Sequence, residues 1–75
     1  MKISNRETEV LELISRAFSN SEIALELYIS IETVKSHRKN LIKKLNAKNS
    51  PSVVRRGFEL GILKVNSANH LQIVN

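Results

Sequence analysis

Apolar residues recur at intervals of three and four along most of this sequence, and polar, cap-forming breaks cut the pattern into four pieces. That periodicity confines the chain to an all-α fold. Val10, Leu11, Ile14, Ala17 and Phe18 mark one face of a first helix over Asn5 to Ala17. Ser4-Asn5-Arg6-Glu7 ahead of it has the spacing of a capping box, in which Ser4 and Glu7 satisfy each other's backbone N–H groups. Glu7 and Glu9 also lie near the positive end of the helix dipole. Ser19-Asn20-Ser21 is a polar break rich in cap residues, and a second, short helix follows with Ile23, Ala24 and Leu27 inward. Tyr28-Ile29-Ser30-Ile31 turns the chain, and Ser30 is a good N-cap for a third helix. That helix runs from about Thr33 to Leu45, with Val34, Leu41, Ile42 and Leu45 as its stripe, and ends near Asn46 or Ala47. Ser50-Pro51 marks a fourth start, since proline suits the first helical position after a serine cap. Val53, Val54 and Phe58 stripe this last helix, Pro51 to Leu60, and Gly61 stops it.

With 75 residues there is room for one domain, and a chain this short buries only about 60% of the surface it would expose unfolded. Cysteine is absent, so neither disulfides nor thiolate metal sites stiffen a thin core. Residues 1–64 hold the four helices. Residues 65–75 lack helical periodicity, and Leu71 to Val74 would be a strand without a pairing partner, so the tail is expected to be loosely ordered. No apolar run is long enough to span a bilayer, which points to a soluble chain, and the cytoplasm is the expected compartment.

Charge divides unevenly. Residues 1–31 carry three Lys or Arg against five Glu, a net −2, and residues 32–75 carry nine against two, a net +7. A polyanionic partner facing the second half explains the split, and so does a merely soluble basic surface.

Order along the chain favours the first of these. Two short helices joined by a tight turn, the second strongly basic on one side, form the layout of a helix-turn-helix. On a wheel of about 100° per residue, Val34, Leu41 and Leu45 share the buried side of the third helix. Lys35, Ser36, Lys39 and Lys43 occupy the opposite arc, and most of them lie toward the helix N-terminus, the end that enters a major groove. Lysine donates to guanine O6 and N7, and a serine hydroxyl serves either kind of base edge. Arg38 falls near the buried arc and is expected to snorkel its head outward.

These residues resemble the LuxR-type (GerE-type) helix-turn-helix domains of bacterial transcription regulators. Ser4 to Glu9 with Val10-Leu11 is similar to that family's opening threonine-x-arginine-glutamate-x-glutamate-valine-leucine signature. Ser19-Asn20-x-Glu22-Ile23-Ala24, Leu27, Ile29-Ser30 and Thr33-Val34-Lys35-x-His37 follow its central signature, and Asn40, Lys44-Leu45 and Gly61-Ile62-Leu63 continue it. The resemblance covers about residues 3–64. It implies a three-helix core plus a C-terminal dimerisation helix, with the helix-turn-helix proper over residues 20–39. It implies base contacts from Lys35, Ser36 and Lys39 in the major groove of double-stranded DNA. Phosphate contacts would come from Asn20, Ser21, Thr33 and His37, with Lys43 on the same cationic arc. The fourth helix, through Val53, Val54, Gly57 and Phe58, would form a homodimer, and family members recruit or block RNA polymerase.

Three positions depart from the family pattern: Ala17 stands where glycine is common, Ala47 where valine is common, and an arginine near residues 49–50 is missing. If the backbone at Ala17 needs positive φ, alanine costs about 1 kcal/mol. His37 fits a boundary position as well as a phosphate contact, and Arg55 and Arg56 fit either phosphate contact or plain solubilisation. Glu7, Glu12 and Arg6 read as dipole stabilisation and an ordinary ion pair rather than acid–base machinery. Without aspartate or cysteine beside the two histidines no metal site is expected, and with no glycine-rich phosphate loop neither a cofactor nor an enzyme activity is. Two other functions share the pattern: a sigma-factor-like DNA-reading domain, and a helix-turn-helix protein-interaction module that uses the Val53-Val54-Phe58 surface without binding DNA.

Overall fold

A computed structural model describes residues 2–64, and the expected loose tail at 65–75 lies outside them. Four helices follow in order: α1 (Asn5–Ser15), α2 (Asn20–Leu27), α3 (Ile31–Lys44) and α4 (Ser52–Glu59). Among the described residues there is no strand. The fold is all-α, as expected.

Each start has a local cause. The Ser4 hydroxyl accepts from the Glu7 N–H at 3.1 Å while the Ser4 N–H donates to the Glu7 carboxylate at 2.9 Å, completing the expected capping box. Ser19 and Glu22 repeat that box at α2, with distances of 2.8 and 3.1 Å. Ser30 caps α3 by accepting from the Thr33 N–H at 3.1 Å, so this helix begins at Ile31, two residues earlier than its apolar stripe suggested. At α4 the expected Ser50 cap is replaced. Asn49 Oδ1 accepts from both the Ser52 N–H, at 3.1 Å, and the Ser52 hydroxyl, at 2.7 Å, which moves the helix start to Ser52.

All four helices stop in the same way. Ala17 (φ 65°), Tyr28 (φ 57°), Asn46 (φ 54°) and Gly61 (φ 76°) each take the left-handed backbone conformation just past a helix end. In every case the next N–H reaches back to a carbonyl five residues earlier: Phe18 to Leu13, Ile29 to Ala24, Ala47 to Ile42 and Ile62 to Gly57, at 2.9–3.1 Å. This is the Schellman closure, usually made by glycine. Here Gly61 is the one glycine among the four. The turn at Ala17 is why α1 ends at Ser15 instead of continuing to Ala17.

Among the described residues ten apolar side chains are buried, drawn from every helix: Val10, Leu11 and Leu13 from α1, Ile23 and Ala24 from α2, Val34 and Leu41 from α3, Val53 from α4, and Leu45 and Leu63 just beyond α3 and α4. Ile14 and Phe18, expected on α1's apolar face, pack half-buried at the core's edge, and Ala17, expected on the same face, is exposed. The α1 face is rotated toward Leu13 relative to the expected stripe. Ala47 is half-buried against the core between α3 and α4.

Candidate nucleic-acid interface

Three residues, Tyr28 to Ser30, join α2 to α3, within the span of a helix-turn-helix turn. On α3, Val34 and Leu41 are wholly buried and Leu45 beyond its end nearly so. Lys35, Ser36, Lys39, Asn40 and Lys43 are all exposed. The cationic and hydroxyl ridge therefore stands clear of the fold on the side opposite the core. Glu32 shares this exposed N-terminal turn and lies 3.7 Å from the Lys35 ammonium, a surface pair easily exchanged for another anion.

Contacts to the other three helices hold α3 in place. Lys44 reaches across to α1, where its ammonium donates to both oxygens of Glu7, at 2.8 and 3.1 Å. The Glu7 side chain is only 5% exposed and that of Lys44 24%. Burial pushes the Glu7 carboxyl's pKa up, but the Lys44 ammonium and the Ser4 hydrogen bonds outweigh it, and the net shift is below the ordinary value of 4.5. From α4, Arg56 Nε donates to the Leu45 carbonyl at 2.7 Å, occupying one of the free acceptors at α3's C-terminus, and its Nη1 pairs with Glu59 at 2.8 Å. Arg56 is thus a structural cap, whereas Arg55 is exposed and pairs with Glu59 at 3.2 Å. Its hydrogen bond from Arg56, reinforced by Arg55, holds the Glu59 carboxyl below its ordinary pKa.

The third tie corrects the sequence reading. Arg38 does not send its head outward. Its Nε donates to the Asn20 side-chain oxygen at 2.7 Å, across the α2–α3 packing, and its Nη1 is buried without a partner. Burial lowers the pKa of this guanidinium. Asn20, one of the expected phosphate contacts, thus has its carbonyl oxygen occupied. Ser21 is exposed at the second position of α2. Thr33 is partly buried, and its N–H and hydroxyl both face Ser30, the two oxygens 2.9 Å apart. Thr33 therefore offers no free backbone N–H. His37 is half-buried at the edge of the core, with Nδ1 buried and unpartnered, the boundary position that the wheel allowed.

The expected dimer surface divides in two. Val53 is 1% exposed, and Gly57 is buried so closely that an added Cβ would meet Leu63 Cδ1 at 2.9 Å and Leu11 Cδ2 at 3.1 Å. Both belong to this chain's own core, because α4 must lay one stripe on α1. Phe58, 43% exposed, and the half-buried Val54 remain able to meet another surface, with Leu60 exposed beside them. A second exposed apolar group lies on α2 and the turn, at Leu25 and Tyr28.

Comparison with known proteins places this geometry. The luxR family of bacterial regulatory proteins, also called the GerE family, matches residues 1–56. The chain belongs to that family. It is 38% identical over 61 residues to the oxygen regulatory protein NreC of Staphylococcus carnosus (strain TM300), covering 81% of this chain and 28% of that protein. NreC of Staphylococcus epidermidis (strain RP62A) is 36% identical over 62 residues, covering 83% of this chain and again 28% of the relative. The chain thus spans little more than a quarter of the length of these curated relatives. A solved structure of the transcription factor GerE superposes with a TM-score of 0.79 and 31% identity, covering 85% of this chain and 96% of that one. The four-helix arrangement is accordingly that of a luxR-family helix-turn-helix domain, and such domains are DNA-binding modules of transcription regulators. Sequence reasoning placed the exposed cationic ridge on α3 and missed the ties of Arg38 and Arg56. Both rest on contacts between residues distant in sequence, and no local motif announces them.

Proposed function

We propose that this domain reads duplex DNA with α3 in the major groove, as the DNA-binding part of a bacterial transcription regulator acting as a homodimer in the cytoplasm. The observation that carries this reading is the exposed ridge of Lys35, Ser36, Lys39 and Lys43, directly opposite the fully buried Val34 and Leu41. In this reading Lys35, Ser36 and Lys39 touch base edges. Lys43 and the α2 start at Asn20 and Ser21 hold phosphates, where two backbone N–H groups have no intrahelical acceptor. Phe58 and Val54 on the outer side of α4 support a twofold contact between copies, which would set two α3 helices about one helical turn of DNA apart. The regulator's effect would then run through RNA polymerase, recruited or blocked at the bound site.

The test is selection of bound sequences from random duplex DNA, followed by Lys35→Ala and Lys39→Ala measured on the selected duplex. Each substitution is expected to erode base preference by about 1–3 kcal/mol, while the strong salt dependence that phosphate neutralisation gives is retained. Binding that both substitutions together leave unchanged refutes α3 as the reading helix. Absence of any binding at low salt would instead favour a module that docks on protein.

A further inference from the structure

Arg38 is a poor choice if its role is stability alone. Its guanidinium is drawn from water to make a single 2.7 Å bond to Asn20, and its Nη1 is buried with no acceptor. Leaving such a donor unsatisfied costs stability, and an apolar residue at this edge of the core would avoid the cost. The consequence of the bond lies on Asn20. A guanidinium offers donors only, so Asn20 must turn its carbonyl oxygen toward Arg38. The planar amide then faces its Nδ2, with two donors, away from Arg38. Among the described residues Nδ2 makes no hydrogen bond, and it is not among the buried unpartnered atoms. Beside it, at the first two positions of α2, lie the N–H groups of Asn20 and Ser21, whereas the Glu22 N–H is already taken by Ser19.

We propose that Arg38 is a positioning residue for phosphate binding: it fixes the Asn20 amide with its donors outward and ties the start of α2 to the middle of α3. The same bond that orients the phosphate donors also holds them at one distance from the base-reading ridge, so both sets meet the duplex in register. Without Arg38 the amide is free to turn its oxygen outward and repel a phosphate. This inference rests on the DNA-binding reading above.

The experiment uses the whole chain and a fluorescein-labelled, mixed-sequence duplex of about two helical turns, ~20 bp, followed by anisotropy across a potassium chloride series. Arg38→Leu should melt no lower than the wild type, yet bind about tenfold more weakly, with a salt slope shallower by about 0.9, one phosphate's share. In an Asn20→Ala background the same substitution should change affinity by less than about twofold, because its effect runs through Asn20. Asn20→Asp keeps a partner for Arg38 but replaces the outward donors by a carboxylate oxygen. It should remain folded and bind at least about tenfold more weakly. Arg38→Leu binding within about twofold of the wild type overturns the inference. So does a full loss that persists in the Asn20→Ala background, which would make Arg38 itself the phosphate contact. If Arg38→Leu loses helix content, undiminished binding by Asn20→Asp overturns it and weakened binding by that variant upholds it. A wild-type chain that leaves the anisotropy unchanged at low salt sinks the DNA reading and this inference together.

Discussion

Replacing Lys44 with methionine keeps a largely hydrocarbon side chain of similar length but removes the cation that Glu7 holds at 2.8 Å. The stranded partner is the buried one, since the Glu7 side chain is 5% exposed and the lysine 24%. Removing one member of a buried pair costs about 3–5 kcal/mol. Glu7 retains its 2.9 Å bond from the Ser4 N–H, which puts the expected loss at the lower end, about 3 kcal/mol near pH 7. A chain of this length has about 4–11 kcal/mol in total, so the variant should remain folded with its Tm lowered by roughly 12–24 °C. The pH dependence then identifies the cause. In the wild type the Glu7 pKa is depressed, so its stabilisation is present above the ordinary 4.5 and is lost as pH falls through the lower folded value. In Lys44→Met, burial acts with the cation gone and raises the Glu7 pKa, so the variant's penalty is present at neutral pH and relieved on acidification. The two curves approach each other from both sides. Glu59, also depressed, is unchanged between the proteins and cancels in the difference. Thermal melts followed by far-UV circular dichroism should show the gap widest at neutral pH and narrowing progressively as the pH falls below about 5 and through the lowered Glu7 value. A gap that is small at neutral pH, or that stays constant with pH, refutes the assignment of this pair as the α1–α3 lock.

Two further outcomes follow from the backbone and the outer face of α4. Ala17→Gly relieves a left-handed alanine that is exposed and so loses no packing. Glycine's greater freedom when unfolded offsets part of the gain, leaving about 0.5–1 kcal/mol of added stability in a urea titration. Phe58→Asp should leave the fold intact, because the ring is already 43% exposed, and should halve the mass measured by light scattering if α4 carries the dimer. An unchanged dimer mass would move the contact elsewhere.

Much of the fold was legible because its signals are local. Ser4-x-x-Glu7 and the Ser30 cap state helix starts within four residues, and Gly61 states a stop. The Ser19-x-x-Glu22 box was equally readable, having the same spacing as the first. The stops at Ala17 and Tyr28 were harder. Neither residue type prefers the left-handed region, so tertiary packing, not propensity, turns the chain there. Likewise Val53 and Gly57 carry nothing in their identity that separates an α4 face turned to α1 from one turned to a second subunit. The stripe marks burial, not the partner that does the burying.

The exposed ridge of the candidate site was legible in its residues and not in its placement. Which residues form the ridge follows from the wheel of α3 alone. Where the ridge stands depends on three polar ties, one to each other helix: Lys44 to Glu7 of α1, Arg38 to Asn20 of α2, and the Leu45 carbonyl to Arg56 of α4. Their partners lie 37, 18 and 11 residues apart in sequence. Apolar burial is non-directional, and a core as thin as this one leaves helices some freedom to slide and rotate at little cost. Hydrogen bonds are directional, with a narrow range of distance and angle. Three of them, spread from the middle of α3 to its C-terminal end, fix its rotation about its own axis as well as its tilt. A groove-reading helix needs that constraint, because the side chains that face the bases are chosen by rotation. Substitutions in the ties are therefore expected to disturb recognition in a way that stability measurements alone do not predict, with Arg38 the clearest case.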